Sequence, residues 1–225
     1  LNAEVSVVSK VGEDCSKNHA KWLKSNNVDL SGLKQIEGAL TTQFVLEYGS
    51  DWKRKLWLKA LAPPILTSDV PKSIQARAIH VAPIANELSE KLVTKLRKAT
   101  SILSLDPQGF VRGFDTKGNV NLKHWKGQTV LEQVDVYKSS LNELKAVTET
   151  KGLHQAVKKI SDYGVKIVIV TRGMQGSTML FDNKLYKIPA YAASTVIDPT
   201  GAGDAFIGAF LAEYVRGKDP LWCAC

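Results

Sequence analysis

Asp198-Pro199-Thr200-Gly201-Ala202-Gly203-Asp204 runs straight into the apolar stretch 205–214. The pattern predicts a helix over 202–215 that starts on almost bare backbone. First-turn amides have no intrahelical acceptor, and the helix dipole adds positive potential there, so the helix start attracts an anion. Gly201, Ala202 and Gly203 carry no side chain larger than a methyl, so a phosphate can come close to those amides. Asp204 falls in the first turn, beside the anion position. A carboxylate there can take the proton of an alcohol as its oxygen attacks a γ-phosphorus. The purely structural reading is a turn followed by an acidic residue that stabilises a helix start.

Working upstream, segments 178–181 and 185–188 alternate around Asp182-Asn183 as a hairpin, and Val165-Lys166-Ile167-Val168-Ile169-Val170 reads as a buried strand. An amphipathic helix is expected over 152–163, a helix over 140–147 and a short strand over 134–137. Further strands are expected at 101–105 and 76–82, with a Leu- and Lys-rich helix over 86–99 between them. Near the start, 4–9 reads as a strand and 14–26 as a helix with Ala20, Trp22 and Leu23 on one face. Alternating strands and helices imply an α/β fold, a mostly parallel sheet covered on both faces. Segments 42–48 and 56–60 flank Gly49-Ser50-Asp51-Trp52 and interrupt that rhythm, which places them in a small separate sheet. No linker, repeat or low-complexity tract appears.

Asp198 to Leu211, D-P-T-G-A-G-D-x-x-x-G-A-F-L, resembles the C-terminal motif of the PfkB/ribokinase-like carbohydrate kinases at every position. The resemblance implies a three-layer α/β/α core with a β-lid. It makes the backbone of Gly201, Ala202 and Gly203 an anion hole and Asp204 the catalytic base. Asp198 matches a position that helps hold a monovalent cation such as K+. Val11-Gly12-Glu13-Asp14 resembles the family's V-G-x-D turn, and 41–60 looks like the lid that closes over the sugar, with Gln43 among its substrate contacts. Asp106-Pro107-Gln108-Gly109-Phe110-Val111-Arg112 resembles the D-x-x-G-x-x-R loop near phosphate and substrate, although a buried Asp and Arg also make structural ion pairs. Ser140-Leu141-Asn142-Glu143 resembles the N-x-x-E motif that places Mg2+ and phosphate largely through water, with Ser140 where Asn is usual. The same four residues make a good capping box, and both readings can hold together. Thr171-Arg172-Gly173-Met174-Gln175-Gly176 resembles the T-x-G-x-x-G turn that holds ATP.

The division expected from this resemblance is a discontinuous core, 1–36 and 61–225, and a lid at 37–60, with lid-to-lid pairing offering a route to a homodimer. Trp52 and Trp57 are the candidates for its outward apolar face. The family's first strand, an upstream Asp, a Gly-Gly motif and the closing C-terminal helices have no counterpart, so the sequence is expected to be truncated at both ends. The implied activity is phosphate transfer from ATP to a hydroxyl of a sugar, nucleoside or polyol. A vitamin-like alcohol such as pyridoxal is disfavoured by the lid. The alternative is a catalytically impaired or non-catalytic small-ligand-binding protein that retains the fold.

Composition narrows the classes further. At 225 residues, 44% hydrophobic and 23% charged, the chain is an ordinary globular one with no run long enough for a membrane span. Cys15, Cys223 and Cys225 lack the partners of a zinc site and read as reduced thiols of a cytoplasmic protein. The net charge of +8 comes from scattered lysines, which favours encounter with anionic ligands such as ATP. Nucleic-acid binding needs a basic stripe with aromatics, and none is found.

Overall fold

The Val- and Ile-rich runs and the Lys-rich amphipathic runs separate into strands and helices as their periods require. The computed structural model describes residues 3–49, 54–191 and 196–225. Six strands form the central sheet: β5 (Ala76–Val81), β6 (Thr100–Leu105), β9 (Val136–Ser140), β10 (Ile167–Thr171), β11 (Ser177–Phe181) and β12 (Lys184–Ile188). Their order is β12-β11-β10-β9-β6-β5. Strands β5, β6, β9 and β10 are parallel, and β11 and β12 add an antiparallel edge through the turn at Asp182 and Asn183, both left-handed.

Strands β9 and β10 are buried on both faces, β5 lies at the sheet edge and is more exposed, and the side chains of the parallel strands divide by parity. Leu103, Leu105, Tyr137, Val168 and Val170 join one cluster. That cluster is closed by Leu144 and Val147 of α5 (Leu141–Thr148) and by Ala156, Val157 and Ile160 of α6 (Leu153–Asp162). Phe110 and Trp125 stack inside it with ring centroids 4.6 Å apart. The opposite face presents Val136, Ile167 and Ile169 to Ile207, Phe210 and Leu211 of α7 (Ala202–Tyr214). Each such fully buried side chain contributes about 1.5–3 kcal/mol. The result is three layers, α/β/α.

Outside this sheet, β3 (Gln43–Tyr48) and β4 (Arg54–Ala60) pair with each other, antiparallel. Trp52 and the tip of that pair lie outside the described residues, while Trp57 is half-buried and bridges to Asn119. Strands β1 (Val5–Gly12) and β2 (Val28–Ile36) form a parallel pair of their own, and β7 (Arg112–Phe114) pairs with β8 (Val120–Leu122).

Two helices start later than the sequence suggests. α1 (Lys17–Ser25) begins after Ser16, whose side chain accepts the Asn18 N–H. Asp14 is drawn away from it to Thr41 and Gln43. α2 (Glu90–Leu96) begins after Ser89, because Asn86 is left-handed at φ 60° and cannot lie in a right-handed helix. On α1, Trp22 is exposed rather than packed with Ala20 and Leu23.

Candidate active site

In an open α/β sheet, ligands gather beyond the carboxyl ends of the parallel strands. Here those ends are Val81, Leu105, Ser140 and Thr171, and the start of α7 approaches β9 at Lys138. Gly201 caps α7 at φ 79°, a left-handed conformation that suits glycine and costs other residues. Its carbonyl accepts the Ala205 N–H at 2.8 Å, and the Ala202 N–H donates to Pro199 O at 3.2 Å, which leaves the N–H groups of Gly203 and Asp204 as the first-turn amides without a helical acceptor. Asp204 stands exposed in that turn. Just before it, Asp198 accepts the Thr200 N–H at 2.8 Å, and hydrogen bonding from Thr200 holds its carboxyl below the usual range.

Beneath the turn lies a polar row that parity places on the α7 face of the sheet. His80 on β5 contacts Ser104 on β6, Nδ1 to Oγ, at 3.0 Å. Asp106, directly after β6, accepts from Lys138 Nζ of β9 at 2.6 Å, and Asp106 and Lys138 are only 1% and 5% exposed. Burial pushes the Asp106 carboxyl up to about 6 against the pull of Lys138, with the Glu143 charge adding to the rise. Burial holds His80 down at about 4, helped by the Lys138 charge. A Cβ built on Gly203 would lie 2.8 Å from Lys138 Nζ, so the ammonium fills the space under the first turn of α7. Lys138 was not singled out in the sequence. Its signal was a charge at the Val136 parity of a strand that is otherwise buried.

Arg112 is buried and anchored, donating to Ile84 O at 2.8 Å and to Gln108 Oε1 at 2.6 Å. Its guanidinium also lies 5.4 Å from the centroid of the Phe44 ring on β3, so it supports the β3–β4 pair from below. Gln43 is held by Asp14 at 2.6 Å, which ties the start of that pair to the V-G-x-D turn. At the other end of β3, Tyr48 Oη and Thr200 Oγ1 are 2.7 Å apart, joining the pair to the D-P-T-G segment.

Ser140 and Glu143 form the capping box read from sequence. Glu143 accepts the Ser140 N–H at 2.8 Å and its hydroxyl at 2.7 Å, both through Oε2. Ser140 lies in register beside Thr171, which begins the second turn. In that turn Gly173 and Gly176 have φ of 58° and 76°. A Cβ at Gly176 would sit 2.0 Å from the Ile188 carbonyl, so glycine is required by close approach as well as by conformation. The structure thus unites Gly203 with Asp106 through Lys138, and Ser140 with Thr171. Gln43 opens β3 and is tied to Asp14, while Arg112 lies against the ring of the next residue, Phe44.

Among the described residues no trio of His, Cys, Asp or Glu could hold a metal ion by itself. A single carboxylate fits Mg2+, which keeps most of its waters and binds phosphate oxygens alongside one or two protein ligands.

This geometry agrees with what the chain resembles. Residues 1–224 match the pfkB family carbohydrate kinase family. The chain belongs to that family. It is 26% identical to a cytidine kinase of Thermococcus kodakarensis over 225 residues, covering 96% of this chain and 76% of that one. A nucleoside kinase of Methanocaldococcus jannaschii is 25% identical, covering 99% of this chain and 70% of its own length. Among solved structures, a pyrophosphate-dependent kinase in the ribokinase family superposes with a TM-score of 0.86 at 25% identity, covering 99% of this chain and 78% of that one. The pfkB-family chain described here is therefore a kinase of the sugar and nucleoside class, with the ribokinase fold. Among its described residues no helix is long and apolar enough to cross a membrane.

Proposed function

We propose that the chain is a cytoplasmic kinase transferring the γ-phosphate of ATP to a hydroxyl of a sugar or nucleoside. Asp204 is the general base, and the backbone of Gly201, Ala202 and Gly203 is the anion hole. The observation that carries this reading is the left-handed start of α7, with bare first-turn backbone and an exposed carboxylate one residue beyond it. Thr171, Gly173 and Gly176 would border the nucleotide, and Ser140 with Glu143 would hold Mg2+ through water. The metal supplies charge neutralisation on the phosphates, while the side chains orient it. Asp198 is the candidate for a K+ site, its carboxyl already held ionised by Thr200. Asp106 and Arg112 then act from beneath the substrate, and Gln43 fixes the lid.

The β3–β4 pair serves as that lid, within residues 37–60. Exposed Val45, in register with half-buried Trp57 across the pair, offers a second copy of the chain an apolar patch for a homodimer.

The test offers purified protein a panel of sugars, nucleosides and inositols, with ATP and with pyrophosphate as donor. Asp204→Asn should lower kcat by roughly two to four orders of magnitude with little change in KM. Near-normal turnover in that variant would reduce Asp204 to a helix-stabilising residue. No turnover with any pair, alongside measurable ligand binding, would favour the non-catalytic binding protein instead.

A further inference from the structure

A buried lysine beneath a helix N-terminus has the wrong sign for a structural role there. The first turn of α7 already carries positive potential, so a cation beside it is repelled rather than held. Lys138 nonetheless sits there, 5% exposed, with Nζ against the open side of Gly203. Its carboxylate partner, Asp106, is 1% exposed and reached at 2.6 Å. Desolvating both groups makes such a pair a weak source of stability. What the arrangement does accomplish is electrostatic. It places positive charge under the amides of Gly203 and Asp204 from the buried side of the turn, where water screens the ammonium itself little. The absence of a side chain at Gly203 leaves nothing between that ammonium and the anion position.

We propose that Lys138, held on Asp106, is a positioning residue for the phosphoryl donor: its buried charge strengthens the anion hole at the start of α7. The proposal rests on the kinase reading of that site. Asp106 fixes the ammonium in place. His80 and Ser104 extend the polar row across β5 and β6 without adding a second positive charge, since burial keeps His80 neutral at pH 7.

The experiment compares wild type, Lys138→Met and the double variant Lys138→Met/Asp106→Asn. It measures thermal stability, steady-state KM for donor and acceptor, and inhibition by inorganic phosphate. Lys138→Met should raise the donor KM and the phosphate inhibition constant by about tenfold or more, the usual worth of a charged contact, and leave the acceptor KM within about twofold. That variant also strands a buried carboxylate and should lose stability. The double variant removes both charges and should recover most of that loss, because uncharged replacements of buried pairs are often neutral. Its donor KM should stay high.

If the double variant recovers donor KM together with stability, the pair is structural and the proposal fails. An unchanged donor KM in Lys138→Met, with wild type active, also overturns it while leaving the kinase assignment intact. A wild type that neither turns over nor binds phosphate overturns the kinase reading and this inference with it.

Discussion

Gly203 shows how a residue with no side chain can be the constrained one. Its missing Cβ is occupied by Lys138 Nζ at 2.8 Å and Cε at 3.4 Å. Gly203→Val would force the ammonium aside and put branched carbons beside the amides of the proposed anion hole. The expected outcome is a donor KM raised at least tenfold and a stability loss of about 1–3 kcal/mol from overpacking. Donor titration and urea unfolding measure the two effects separately. An unaltered donor KM would mean that phosphate does not approach on this side. The sequence made Gly201, Gly203 and Asp204 legible because the motif is contiguous. Lys138 and Asp106 are 32 residues apart and become neighbours only when β6 and β9 pair in parallel. A lysine within Val-Tyr-Lys-Ser-Ser carries no local sign of its partner.

At the scale of elements, strong periodicity was easily read and short or irregular pieces were not. β10 and α6 follow their patterns because one is buried on both faces and the other on a single stripe. β2 was missed. Its alternation breaks at Ser31-Gly32, and only Gly32 is buried, where a Cβ would meet Val7 O at 2.7 Å. β7 and β8 have three residues each, too few for a period to show. The contact between Tyr48 and Thr200 joins segments 152 residues apart and had no sequence signal either. It suggests a specific role for β3, as a latch between the lid and the D-P-T-G loop. Tyr48→Phe keeps the ring and removes that hydrogen bond. Stability should change by no more than about 1 kcal/mol. If the β3–β4 pair is the proposed lid, the acceptor KM should rise about three- to tenfold while the donor KM stays put. Equal rises in both constants would place the contact in general packing instead.

For the whole molecule, the polar row under α7 makes stability depend on pH in a way that two variants can separate. His80 is half-buried on β5 and faces Ser104, with Lys138 nearby; Asp106 faces Lys138 of β9 and feels Glu143 at the start of α5. The folded state holds His80 at about 4 against an ordinary 6.5, so between those values the unfolded chain binds more protons and stability rises with pH. Burial lifts Asp106 to about 6 from 3.8, so between those values the folded state binds more protons and stability falls as pH rises. The windows overlap and the slopes oppose, so these two groups largely cancel in the wild type between pH 4 and 6. Removing one should expose the other. His80→Asn should lose stability on going from pH 4 to pH 6, through Asp106. Asp106→Asn, whose amide oxygen can still accept from Lys138, should gain stability over pH 4 to 6.5, through His80. Each change should be on the order of 2 kcal/mol, read by urea unfolding at half-unit pH steps and taken relative to the wild type so that surface carboxylates drop out. Slopes of the same sign in both variants would show that the row titrates as one coupled unit, with its charge shared among His80, Asp106 and Lys138.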